Sequence, residues 1–106
     1  MKLKIQSPIP TDVYYDTKSV GIAILDPFAM SSIQDDLIRV VQNPALIIEV
    51  NANQHLYFRT RSGMYQIAIV VMGEDHWYVE NFIFDAPLEI AQQKFREGTI
   101  IYKYEK

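Results

Sequence analysis

His55, Tyr57, Arg59 and Arg61 stand at alternate positions, separated by Leu56, Phe58 and Thr60, so a β-strand would carry all four on one face. Such a row has the parts for cleaving RNA without a metal. His55 could serve as general acid or base, Arg59 could stabilise the charge growing on the phosphorane, and Tyr57 could position the substrate. Arg61, Gln66 and Asn81 would extend the row as a substrate-binding surface, and Trp77 offers a ring on which an unpaired base can stack. The competing reading is that a strand beside a turn is polar because water covers it. His76 follows Glu74-Asp75 and reads as a solvated turn residue.

The elements that must position these groups are legible from residue 31 onward. Ser32 with Asp35 is a variant of the capping box, and Ile33, Leu37, Val40 and Val41 recur at helical spacing until Asn43-Pro44 stops the helix. Leu46 to Val50 is an apolar, β-branched strand leading through Asn51-Ala52-Asn53 into the polar row. Ser62-Gly63 suits a two-residue hairpin, which sets Arg61 against Met64, Arg59 against Gln66, Tyr57 against Ala68 and His55 against Val70. A turn at Gly73-Glu74-Asp75 sets Met72 against Trp77 and hence Ala68 against Asn81. In that register Leu56, Phe58, Ile67, Ile69, Tyr78, Phe82 and Phe84 share the buried face, and the row containing His55 lies on an open one. Asp85-Ala86-Pro87 reads as the capped start of a second helix that ends at Gly98, and Thr99 to Tyr104 reads as a last strand.

Residues 1–30 are interrupted by Pro8, Pro10 and Pro27 and read as an irregular wrap or as short strands around Val13 to Tyr15 and Val20 to Leu25. The expectation is therefore one α+β domain over residues 1–106, with an antiparallel sheet of about four or five strands packed on one or two helices.

A chain of 106 residues that is 49% hydrophobic and 12% aromatic has enough apolar material for one core. Its net charge of −3 provides no overall basic field for gathering nucleic acid, so a polyanion would need a local patch. The run Tyr102-Lys103-Tyr104-Glu105-Lys106 interleaves aromatics with bases and is one such patch, although a solvated terminus would look the same. Without cysteine there is no disulfide or thiol chemistry, and the composition fits a reducing, cytoplasmic setting. No signal-peptide core or membrane-spanning run is present. Two histidines without convergent carboxylates give no metal motif, and the Walker, Rossmann and nucleophile-elbow patterns are absent, so no cofactor is expected.

The helix ending in Val41-Gln42-Asn43-Pro44, the strand Leu46 to Val50, the turn-linked strands His55 to Arg61 and Tyr65 to Val71, and the strand Tyr78 to Phe84 together resemble the barnase–EndoU–colicin–RelE-like nuclease fold. The resemblance is to its small phage-associated and polymorphic-toxin versions and covers residues 31–104. It implies metal-independent RNA cleavage on the open face of an antiparallel sheet, with His55, Tyr57 and Arg59 as the matches in kind. Two functions stand side by side at this point. One is an RNA-cleaving, toxin-like domain. The other is a non-enzymatic protein-interaction module, an immunity-like partner or phage accessory protein, with exposed aromatics such as Trp77 in its contact surface. Edge-strand pairing into a homodimer would be a structural variant of the second.

Overall fold

The computed structural model describes residues 2–9, 12–16, 21–23 and 33–104. The expected Ser32 cap, Pro10, Pro27 and the last two residues of the basic–aromatic run fall outside them. The elements in chain order are β1 (Lys2–Gln6), β2 (Asp12–Asp16), β3 (Gly21–Ala23), α1 (Ile33–Gln42), β4 (Leu46–Asn51), β5 (Gln54–Arg61), β6 (Met64–Met72), β7 (Trp77–Ala86), α2 (Leu88–Phe95) and β8 (Thr99–Lys103).

From α1 onward the order matches the sequence expectation. Ser62 and Gly63 adopt φ of 51° and 81°, the left-handed pair that a tight hairpin turn requires, and all four expected β5–β6 pairs occur. Two boundaries move. β7 runs through Asp85 to Ala86, so Asp85 is a strand residue, and Pro87 takes the N-cap position of α2 without a side-chain hydrogen bond.

The sheet is larger than expected and is mixed, with strand order β1-β2-β7-β6-β5-β4-β8. β2 pairs in parallel with β7 at Trp77 and Tyr78, and β3 pairs in parallel further along the same strand at Asn81 to Ile83. β2 and β3 thus share one flank of β7, placed one after the other. These strands come from the segment that proline breaks had marked as irregular. The signal within it was Val13 and Tyr15, both buried, alternating with exposed Asp12 and half-buried Tyr14 and Asp16.

Both faces of the sheet are covered. α1 lies across β1, β5, β6 and β7, setting Leu37, Val40 and Val41 against Ile47, Tyr57, Ala68, Val70 and Phe82. α2 lies over β6 and β7 on the opposite face, where Ile90 and Phe95 meet Ile48, Leu56, Phe58, Ile67 and Ala86. The result is a helix–sheet–helix sandwich in place of a sheet with an open face. Among the described residues no helix is long and apolar enough to cross a membrane.

Two irregularities in β7 sort its side chains between these layers. The ladder with β6 begins at Met72↔Trp77 as expected, but Val70 pairs with Val79 and Ile69 with Asn81, leaving Glu80 as an inserted residue. Ala68 therefore faces Phe82, not Asn81. The bulge puts Phe82 and Phe84 under α1 and removes Asn81 from the His55 row. A second shift between Tyr65 and Ile67 returns Ala86 to the α2 side.

Candidate functional site

The β5 row faces α1, so three of the expected site residues are interior. Tyr57 is fully buried, and His55 and Gln66 are 4% and 2% exposed. The Tyr57 hydroxyl donates to the Ile9 carbonyl and meets the Ser7 hydroxyl, each at 2.5 Å, so residues 7–9 close over it. Burial pushes its pKa up to about 12 against the opposing effect of the Ser7 hydrogen bond, which keeps the phenol protonated through the physiological range.

His55 lies under the same cover. Its ring stacks on Trp77 at 4.3 Å with an interplanar angle of 23°, and its Nε2 is 3.8 Å from a carboxylate oxygen of half-exposed Glu49. Nδ1 is buried with no hydrogen-bond partner among the described residues. Desolvation lowers the pKa of His55, partly offset by Glu49. The native state thus holds the neutral imidazole, whereas the unfolded chain takes up a proton near pH 6.5. Stability from this group is complete above the unfolded value and is lost as pH falls below it, at up to about 1.4 kcal/mol per pH unit. Urea midpoints should fall between about pH 7.5 and 5.5 in the wild type and fall less in His55→Leu. Equal slopes would show that His55 titrates alike in the native and unfolded states.

The arginines are engaged with α1. Arg61 forms an ion pair with Asp36, which is 1% exposed and also meets Arg39 at 3.2 Å, while the Arg61 guanidinium lies 5.9 Å from the centre of the Phe84 ring. Arg59 donates through Nη1 to the carbonyl of Asn43 at 2.6 Å, just past the end of α1. The structure therefore brings buried His55 and Tyr57 together with half-buried Trp77, ties Arg61 and Arg59 to the helix that covers them, and sends Asn81 elsewhere. His76 bonds the adjacent Asp75 at 2.6 Å and makes an edge contact with Tyr14. Among the described residues no group of three or more His, Asp or Glu side chains converges as a metal site.

Two accessible concavities lie at the opposite end of β5, and another of about 330 Å³ is lined by Gln6, Ser7, Pro8 and Gln42. Leu46, the first residue of β4, pairs with Phe58, and β5 runs on through Arg61 beyond it. Over this overrun lies a cleft of about 510 Å³ lined by Gln42, Asn43, Arg59, Thr60, Tyr102 and Tyr104. On the α2 side a second cavity of about 310 Å³ is walled by Leu46, Phe58, Tyr65 and Phe95, with Lys103 alongside. The two share Ala45, Arg59, Thr60 and Tyr104. No family model, curated protein or solved structure matches this chain.

Of the cleft, sequence reasoning had singled out Arg59 and the Tyr102-Lys103-Tyr104 run but not Gln42, Thr60, Tyr65 or Phe95. The available signal was Asn43-Pro44, which ends α1 and delays β4, so that β5 outruns its neighbour.

Proposed function

We propose that this protein is a non-enzymatic protein-interaction module that uses the cleft between the end of α1, β5 and β8. The observation that carries this reading is the burial of His55 and Tyr57 beneath α1 and residues 7–9. A general acid or base must come within hydrogen-bond reach of the proton it moves, and among the described residues α1 and residues 7–9 cover these two. With Arg61 engaged by Asp36, the sheet face has neither its proton carrier nor a second cation available. Leu88 on α2, Ile100 on β8 and Tyr104 just after β8 are each more than half exposed, apolar area that a contact surface can use.

The test is incubation of the purified protein with total RNA and with tRNA in chelator, read on a denaturing gel. Intact RNA is the expected result. Cleavage by the wild type that disappears in a folded Arg59→Ala variant would overturn the reading in favour of a metal-independent ribonuclease.

A further inference from the structure

The chemistry of the cleft specifies its partner more closely, on the reading that the protein is a non-enzymatic module. Arg59 and Lys103 flank the joined cavities, no Asp or Glu is among the described residues lining either one, and neither cation has a carboxylate partner among the described residues. In a chain of net charge −3 this is a local reversal of sign. A helix C-terminus carries roughly half a negative charge, so the Asn43 carbonyl that Arg59 contacts offsets the guanidinium only in part. Two cations match one or two carboxylates; they do not match the run of phosphates along a nucleic acid strand, which the overall charge also repels.

The second cavity supplies the other half of the recognition. Its wall of Leu46, Phe58, Tyr65 and Phe95 offers carbon to an apolar side chain and few partners for the polar edges of a base.

The backbone of β8 sets the shape of the ligand. The Tyr104 amide donates to the Ala45 carbonyl at 2.9 Å, which makes the adjacent Leu46↔Lys103 pair non-hydrogen-bonded and turns the N–H and C=O of Lys103 away from β4. β8 ends the strand order of the sheet, so those groups face its free edge. An extended segment can pair there while its side chains enter the cavities.

We infer that the joined cavities beside β8 bind an extended acidic peptide segment of a partner protein, a carboxylate on Arg59 and Lys103 and a large apolar side chain in the cavity walled by Leu46, Phe58, Tyr65 and Phe95. The probe is a fluorescein-labelled peptide, Gly-Asp-Glu-Phe-Asp-Gly, followed by anisotropy at low salt. Its comparators are the same peptide with Phe replaced by Ala, the same peptide with its acids replaced by their amides, and labelled oligouridylate. Saturable binding is expected, weakened roughly tenfold or more by either peptide change and by Lys103→Glu or Tyr104→Ala in variants with unchanged circular dichroism. Lys103 and Tyr104 are exposed, so these variants keep the inference testable where Arg59→Gln disturbs α1. Absence of binding, indifference to the acids or to Phe, or no effect of the variants would overturn the inference. Tighter binding of oligouridylate that leaves it uncut would also overturn it while sparing the non-enzymatic reading; oligouridylate cut in the same mixture would overturn the non-enzymatic reading itself.

Discussion

Gly98→Ala is expected to lower stability by about 3 kcal/mol or more, which for a domain of this size is a fall in Tm of roughly 12–20 °C. A Cβ at this position would lie 2.1 Å from the carbonyl oxygen of Glu49 and 2.6 Å from its carbon, with a methyl of Ile48 at 2.9 Å. The obstacle is backbone, and it cannot rotate away. Glu49 pairs with His55 on one side and Thr99 on the other, so relief requires moving β8 off the sheet or displacing β4 from β5. Gly63→Ala is the informative control. Gly63 has the left-handed φ that favours glycine but open space around its missing side chain, so its loss is confined to about 1 kcal/mol of backbone preference. Equal costs in thermal or urea unfolding would mean that β8 yields freely and that its edge is not a fixed platform.

Arg61→Met is expected to cost about 2–3 kcal/mol, and adding Asp36→Leu should recover most of that loss. The asymmetry follows from where the charges lie. Arg61 is nearly half exposed and hydrates easily when freed, but Asp36 is buried on the sheet-facing side of α1, and without Arg61 its carboxylate loses one of its cationic partners. The single variant takes a cationic partner from a buried carboxylate; the double variant removes that charge and extends the contact between α1 and the sheet. Chemical denaturation of the two variants measures this directly, and a double variant no better than the single would mean that the ion pair contributes net stability beyond its own desolvation.

The meander of β4 to β7 and both helices were legible because each carries a local signature: the period of Leu37, Val40 and Val41, the turn chemistry of Ser62-Gly63, and the stop at Asn43-Pro44. Short strands around Val13 to Tyr15 and Val20 to Leu25 were one of two readings of the N-terminal segment, and β2 and β3 fall there. β1 and the parallel pairing of β2 and β3 with β7 were not legible, since strands this short offer few alternations and that pairing is remote in sequence. The candidate site was misread for a different reason. Alternation of polar with apolar residues marks a solvated face only where nothing lies on it, and here α1 brings its own acid, Asp36, to meet Arg61 while Ser7 and the Ile9 carbonyl satisfy the tyrosine. Histidine, tyrosine and glutamine then become interior residues without leaving the expected register. Asn81 was displaced by the one-residue insertion at Glu80, which no feature of Val79-Glu80-Asn81 announces. Arg59 lines the cleft, but the residues beside it there come from the end of α1 and from β8.

The hydrogen bond from Arg59 to the Asn43 carbonyl has a further effect on recognition. An arginine side chain free in solution gives up as much as about 2 kcal/mol of rotamer entropy when a ligand immobilises it. At this cleft the guanidinium is already oriented by the helix end, so much of that loss falls on folding and little remains to oppose association. The cleft is preorganised on its charged side, so that the conformational freedom lost on binding of the proposed segment would belong chiefly to that segment.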